Sequence, residues 1–124
     1  QKFNTGSLGD SIDWADLNAG RYGCAGVNSL AGRGIWAGGS NEHDHNFDHM
    51  DYVTIQTQAD AQDFGNMVVA GKINHGMHDE TRGVITQGYN TNGIQYITMA
   101  SLGDSQDFGD LTVARGYAAG FSGS

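Results

Sequence analysis

The sequence predicts an all-β fold built from repeated four-stranded units, and three observations lead there. A motif of Asp, aromatic, small residue, Asp or Asn, and large apolar residue occurs at residues 13–17 (DWADL), 63–67 (DFGNM) and 107–111 (DFGDL). The copies begin 50 and then 44 residues apart, and a short motif recurring at such intervals marks an architectural repeat. Segments ahead of the motifs alternate with period two and are rich in Tyr, Ile, Val and Thr, the pattern of half-buried strands. Finally, the 124 residues include 20 Gly and no Pro, a composition suited to many tight turns between short strands. No helical periodicity is evident.

With the motif as a ruler, each element falls into register. The alternating segment is Phe3-Asn4-Thr5 in the first copy, residues 50–55 in the second and 94–99 in the third. A turn then leads into the motif. There, an Asp two residues before a Gly accepts backbone N–H bonds and the aromatic ring packs between units. Asp13, Trp14, Asp63, Phe64, Asp107 and Phe108 are therefore expected to be structural. Next comes a small-residue stretch at residues 20–26, 70–76 and 114–120, predicting a strand where backbones approach closely. The last element, residues 33–39 and 82–88, opens with Arg-Gly and has no third copy. Arg33 and Arg82 are expected to pair with motif carboxylates of neighbouring units, a use favoured by the planar guanidinium.

A unit of four short strands at this spacing fits a β-propeller blade, for which known repeats run to about 40–50 residues. The small-residue strand would line the axis and the motif strand would lie near the rim. A β-trefoil, which also has three repeats, is the alternative. The chain reads as one domain, residues 1–124, with imperfect repeats at about 1–57, 58–100 and 101–124. That is roughly two and a half units, and repeat arrays usually need about three to bury a continuous core. Completion by homo-oligomerisation is therefore expected. The strand at residues 114–121 of one subunit would join residues 1–17 of the next, in a ring of two or three chains or a filament.

The repeat resembles the kelch-like DFGDL repeats of phage proteins, notably tail-fibre-like and other virion proteins of marine phages. Arg82-Gly83-Val84, Ile94-Gln95-Tyr96-Ile97-Thr98 and the run from Asp107 to Arg115 carry the likeness, with their weaker copies, over nearly the whole chain. The resemblance implies a virion or extracellular structural subunit, partnered by itself or by other virion proteins and touching a host surface glycan. The chain departs from the pattern in being short, in lacking one Arg-Gly strand and in a histidine-rich insertion.

Bulk properties narrow the function. A formal charge of −8 argues against phosphate-backbone binding, which concentrates Lys and Arg. No apolar run approaches the ~18 residues of a membrane helix, so a soluble chain without membrane insertion is expected. No signal peptide is read, and the chain opening on Gln1 suggests processing or excision. The single cysteine, Cys24, excludes an intrachain disulfide and reads as a small buried residue.

Chemistry is sparse. There is no phosphate loop, nothing places Ser, His and Asp as a triad, and Asp44, Asp48 and Asp51 serve acid–base work only if two share a cleft. A non-enzymatic protein without a cofactor is expected. From Arg33 to Tyr52 is five residues longer than from Arg82 to Tyr96, and the excess falls in residues 40–49, SNEHDHNFDH. His43, His45 and His49 there are candidate ligands for Zn, Ni or Cu, set against a solvated polar loop. The string HDHNFDH resembles the H-x-H-x-D-H run of metallo-β-lactamase-type hydrolases, but is one residue longer, and the chain is too short for that two-layered fold. A lectin is the other alternative, with Trp36, Tyr22, Tyr89 or Tyr117 stacking on sugar faces and Asp or Asn binding hydroxyls.

Overall fold

Strand pairing follows sequence order throughout. In the computed structural model, which describes residues 1, 2, 4 and 6–122, β1 (Ala25–Asn28), β2 (Arg33–Ala37), β3 (His49–Thr54) and β4 (Gln62–Asn66) form one antiparallel sheet in that order. β5 (His75–His78), β6 (Arg82–Thr86), β7 (Thr91–Thr98) and β8 (Gln106–Arg115) form a second sheet in the same way. The fold is all-β, with two four-stranded meanders and no helix among the described residues. It thus contains no helix long and apolar enough to cross a membrane. Two separate meanders are not a β-trefoil, and the propeller-like sheets do not close a ring.

The two sheets repeat each other in detail. Ile35 pairs with Tyr52 in the first and Val84 with Tyr96 in the second. Each sheet carries a bulge, between Met50 and Asp51 and between Ile94 and Gln95. Opposite the bulges lie the motif glycines Gly65 and Gly109, at φ 139° and 138°, a backbone state that side-chain-bearing residues rarely adopt. The N-terminal segment follows the same plan, since the Lys2–Ile12 bridge corresponds to the Tyr52–Gln62 and Tyr96–Gln106 pairs. Phe3 and Thr5 of the first expected strand lie outside the described residues.

Apolar residues on β1 to β4 and β6 to β7 build the core, with Ile35, Met50, Ile85, Ile97 and Met99 almost wholly buried. β1 meets the second sheet at β5 and β6. A Cβ on Gly76 would come within 2.5 Å of the Gly26 carbonyl oxygen, and one on Gly83 within 2.9 Å of Val27. Small residues do therefore mark a crowded inner strand, while the motif forms the outer strands β4 and β8. The inner strands begin later than the composition predicts, at Ala25 and His75. Gly23, Ile73 and Tyr117 hold equivalent positions with φ 66°, 59° and 56°, and a left-handed residue interrupts an extended strand. For the same reason residues 114–121 are not one strand. Arg115 ends β8, and the chain turns at Tyr117 before Gly120 comes up beside Gly76.

The motif aromatics divide. Phe64 is 2% exposed, edge-on to Tyr52 and beneath the turn at residues 101–105, whereas Phe108 is 54% exposed. The expected interunit burial thus holds for Phe64 and fails for Phe108, because no turn of a following unit covers β8 among the described residues. Arg33 and Arg82 do not pair with motif carboxylates either. Their guanidiniums lie over Tyr52 and Tyr96, 5.1 and 5.0 Å from the ring centroids. Register explains this: Arg33 faces Thr54 and Arg82 faces Thr98, so each tyrosine is the diagonal neighbour on the same face. Arg33 also donates to the Met99 carbonyl (3.0 Å), linking the sheets.

Candidate functional site

The histidine-rich insertion is an ordered excursion between β2 and β3. Ser40 bridges both Tyr22 and Asn46. The Asn41 side-chain oxygen accepts from the His43 and His45 N–H groups at 3.0 Å each, closing a local turn of the kind Asn favours. Asp44 takes a left-handed conformation, φ 61°. Its carboxylate there accepts from the Lys72 ammonium and from the Tyr22 hydroxyl (3.3 Å).

Lys72 connects this loop to the second sheet. Its ammonium lies 5.7 Å from the Tyr89 ring centroid, within cation–π range. The Lys72 contact holds the Asp44 carboxyl below the usual carboxylate range, and Asp44 in turn raises the Lys72 ammonium. Tyr22 and Tyr89 are each about half exposed, so the ion pair is flanked by two accessible aromatic rings. A neighbouring cleft of about 430 Å³ is lined by Arg21, Tyr22, Asn41, Glu42 and His43 among others.

Below the insertion sits a pair that sequence reasoning missed. Asp51 is buried, and its carboxylate binds the Arg21 guanidinium, Asn18 Nδ2 at 3.0 Å and the Asn18 N–H at 3.3 Å. Arg21 also donates to the carbonyls of Gly38 (3.2 Å) and His49 (3.1 Å). In the second unit Gln95 takes the place of Asp51, accepting from the Val68 N–H at 2.8 Å, and Gly71 takes that of Arg21. The signal was present as a polar residue inside each apolar alternating segment, changing in step with a second position ahead of the inner strand.

The remaining candidates are scattered. His43 points to solvent beside Glu42, while His45 and His49 both pack against Phe47, with ring centroids 5.5 and 4.7 Å from it. Among the described residues no three His, Cys, Asp or Glu side chains converge on a possible ion position, so His43, His45 and His49 are not brought together. His75 and His78 lie at the two ends of β5. Trp36 folds over Gly34 and lines a separate groove of about 250 Å³ with Trp14 and Val53. Tyr117 is exposed and follows Gly116, which lies against Tyr89. Of the four lectin candidates, then, Tyr22 and Tyr89 share one site, Tyr117 borders its second-sheet side and Trp36 is apart. Asp63 accepts from the Gly65 N–H at 3.1 Å, as its spacing predicts. Burial raises the Cys24 thiol pKa.

Chemically, the Tyr22–Asp44–Lys72–Tyr89 group offers two ring faces, an anionic acceptor and a cationic donor. No protein-family profile matches the chain, and no curated protein sequence matches it.

Proposed function

We propose that this protein is a non-enzymatic structural subunit, a repeat scaffold in a virion or fibre-like assembly of the kind its DFGDL repeats resemble. One observation carries the reading: the repeated carboxylates bind the backbone of the adjoining unit. Asp60 accepts from the Asp16 N–H at 3.2 Å, and Asp104 accepts from the Asn66 N–H at 2.8 Å. Side chains that recur in the sequence are engaged in holding unit to unit, which is the requirement of a scaffold. The test is mass spectrometry of particles purified from the source and washed in high salt. A fixed, stoichiometric copy number per particle is the expected result, and recovery only in the soluble fraction would reject the assignment.

A second reading, carbohydrate binding, has its own support in the exposed Tyr22 and Tyr89 rings beside Asp44. Aromatic faces stack on sugar C–H surfaces while a carboxylate binds hydroxyls. Glycan-array binding that disappears in both Tyr22→Ala and Tyr89→Ala supports it, and binding indifferent to both changes removes it.

A further inference from the structure

At each junction between units in this chain, a turn of the later unit covers the motif of the earlier one. The turns at residues 7–11, 57–61 and 101–105 are built alike, closed by Ser7 N–H to Asn4 O, Thr57 N–H to Thr54 O and Ser101 N–H to Thr98 O. The first and third are identical in sequence, SLGDS. Turn 57–61 covers the first motif: the Ala61 N–H donates to the Asp16 carbonyl while Asp60 takes the Asp16 N–H. Turn 101–105 covers the second motif in the same way, with Ser105 N–H to Asn66 O, Gly103 N–H to Phe64 O and Asp104 on the Asn66 N–H. Backbones approach so closely there that a Cβ on Gly65 would come within 2.4 Å of the Gly103 oxygen.

One turn and one strand remain. Turn 7–11 covers nothing among the described residues; Leu8 is fully exposed, and no atom lies within 4 Å of a Cβ position on Gly9. β8 is the outer strand of its sheet, Phe108 on it is half exposed, and the Gly109 position is equally open. The unused turn has the sequence of the one that covers Phe64, and the unused strand, DFGDL, differs from the covered DFGNM at two positions. Gly9 and Gly109, at φ 158° and 138°, have nearly the backbone states of Gly103 and Gly65, at 149° and 139°.

We infer that turn 7–11 of a second copy of this chain docks on β8 around Phe108, reproducing between chains the contact made within the chain at Phe64. Asp10 then accepts from the Asp110 N–H, the Gly9 N–H donates to the Phe108 carbonyl, and the Ser11 N–H donates to the Asp110 carbonyl. The surface used on one copy differs from that used on the other, so the association is head-to-tail and continues until it closes a ring or extends as a filament. It names the partner surface of the scaffold proposed above. It stands on the interunit geometry, so its hydrodynamic test can fail while particle association holds, and the reverse.

Sedimentation velocity on the chain at micromolar concentration tests it. The wild type should run as species of several chains. Asp10→Lys, which disables the turn, and Phe108→Glu, which disables the strand, should each run as single chains, with circular dichroism unchanged. Mixing these two variants leaves one working turn and one working strand, so the mixture should form a species of two chains and nothing larger. A monomeric wild type, or Asp10→Lys assembling like the wild type, overturns the inference. If Phe108→Glu loses its fold, Asp10→Lys mixed with wild type still decides the matter, because it should cap one end of each assembly and shorten the size distribution. An unshifted distribution rejects docking through this turn.

Discussion

Phe64 and Phe108 occupy the same place in two copies of one motif, so replacing each with Ala measures what the covering turn contributes. Phe64 is 2% exposed, belongs to the core and has its ring centroid 6.0 Å from that of Tyr52. Its removal takes away a buried ring and leaves a cavity, a loss of about 3–5 kcal/mol. Phe108 keeps the same edge-on partner, Tyr96 at 5.9 Å, but is 54% exposed. Roughly half the transfer free energy of a buried aromatic, about 1 kcal/mol, is at stake there. The ring pair adds about 0.5 kcal/mol, and a site open to water leaves no sealed cavity. The two substitutions should therefore differ by about 1.5–3.5 kcal/mol. Urea unfolding, at a dilution where the chain sediments as a single copy, reads both values from the midpoint and slope. Equal losses at the two positions would mean that Phe108 is buried like Phe64, and the division between covered and uncovered strands would be wrong.

The remaining predictions concern the insertion and its supports. Asp51→Ala should cost about 3–5 kcal/mol because it strands a buried guanidinium. Adding Arg21→Met should recover part of that loss, and a double-mutant cycle with no coupling would contradict the pairing. Replacing His43, His45 and His49 together with Ala should preserve both circular dichroism and cooperative unfolding. The loss should be about 1–2 kcal/mol from the edge-on and tilted ring contacts of His45 and His49 with Phe47. A Zn-dependent rise in melting temperature seen in the wild type and absent from the triple variant would revive the metal reading. Asp79 turns the chain between β5 and β6, accepting from the N–H groups of Thr81 (2.7 Å) and Arg82 (2.6 Å). These bonds hold its carboxyl below the usual range. Its stabilisation is thus complete above the unfolded-state pKa and is lost as pH falls through the lower folded value. Asp79→Asn, which keeps an acceptor, should flatten the acid limb of a stability–pH curve, and an unchanged limb would exclude Asp79 as a contributor.

The strand order was legible because it depends on local pattern. Alternation in residues 94–99 and the recurring motif both survive in a single sequence, and the sheets follow them. What escaped reading depends on partners distant in the chain. Phe108 carries the same motif as Phe64, and only the presence or absence of a covering turn separates them. The displaced start of the inner strands rests on Ile73 in a left-handed conformation, which a β-branched residue rarely adopts, so composition gave no hint of a break. Arg33 and Arg82 lie over tyrosines two positions along the neighbouring strand because register sets those rings diagonally opposite them on the same face. At the candidate site, Tyr22 and Tyr89 were identifiable as exposed aromatics, but Asp44 and Lys72, which join them, belong to different units and look like ordinary surface charges.

The differences between the units explain why the buried ion pair exists in only one of them. Both units must satisfy an N–H at the same place, that of Asn18 or Val68, and a neutral glutamine suffices in the second. The first unit carries the insertion, and the chain entering and leaving it brings the Gly38 and His49 carbonyls together at its base. Arg21 donates to both, a task for a guanidinium with several donors in one plane. A buried cation at that point requires an anion, so the glutamine position becomes Asp51. Gly71 and Gln95 in the second unit are the corresponding solution where no loop has to be anchored. The pair is thus best understood as the footing of the insertion. It fixes the loop that presents Asp44 to Lys72, and Tyr22, the residue after Arg21, is held against that loop by the same footing.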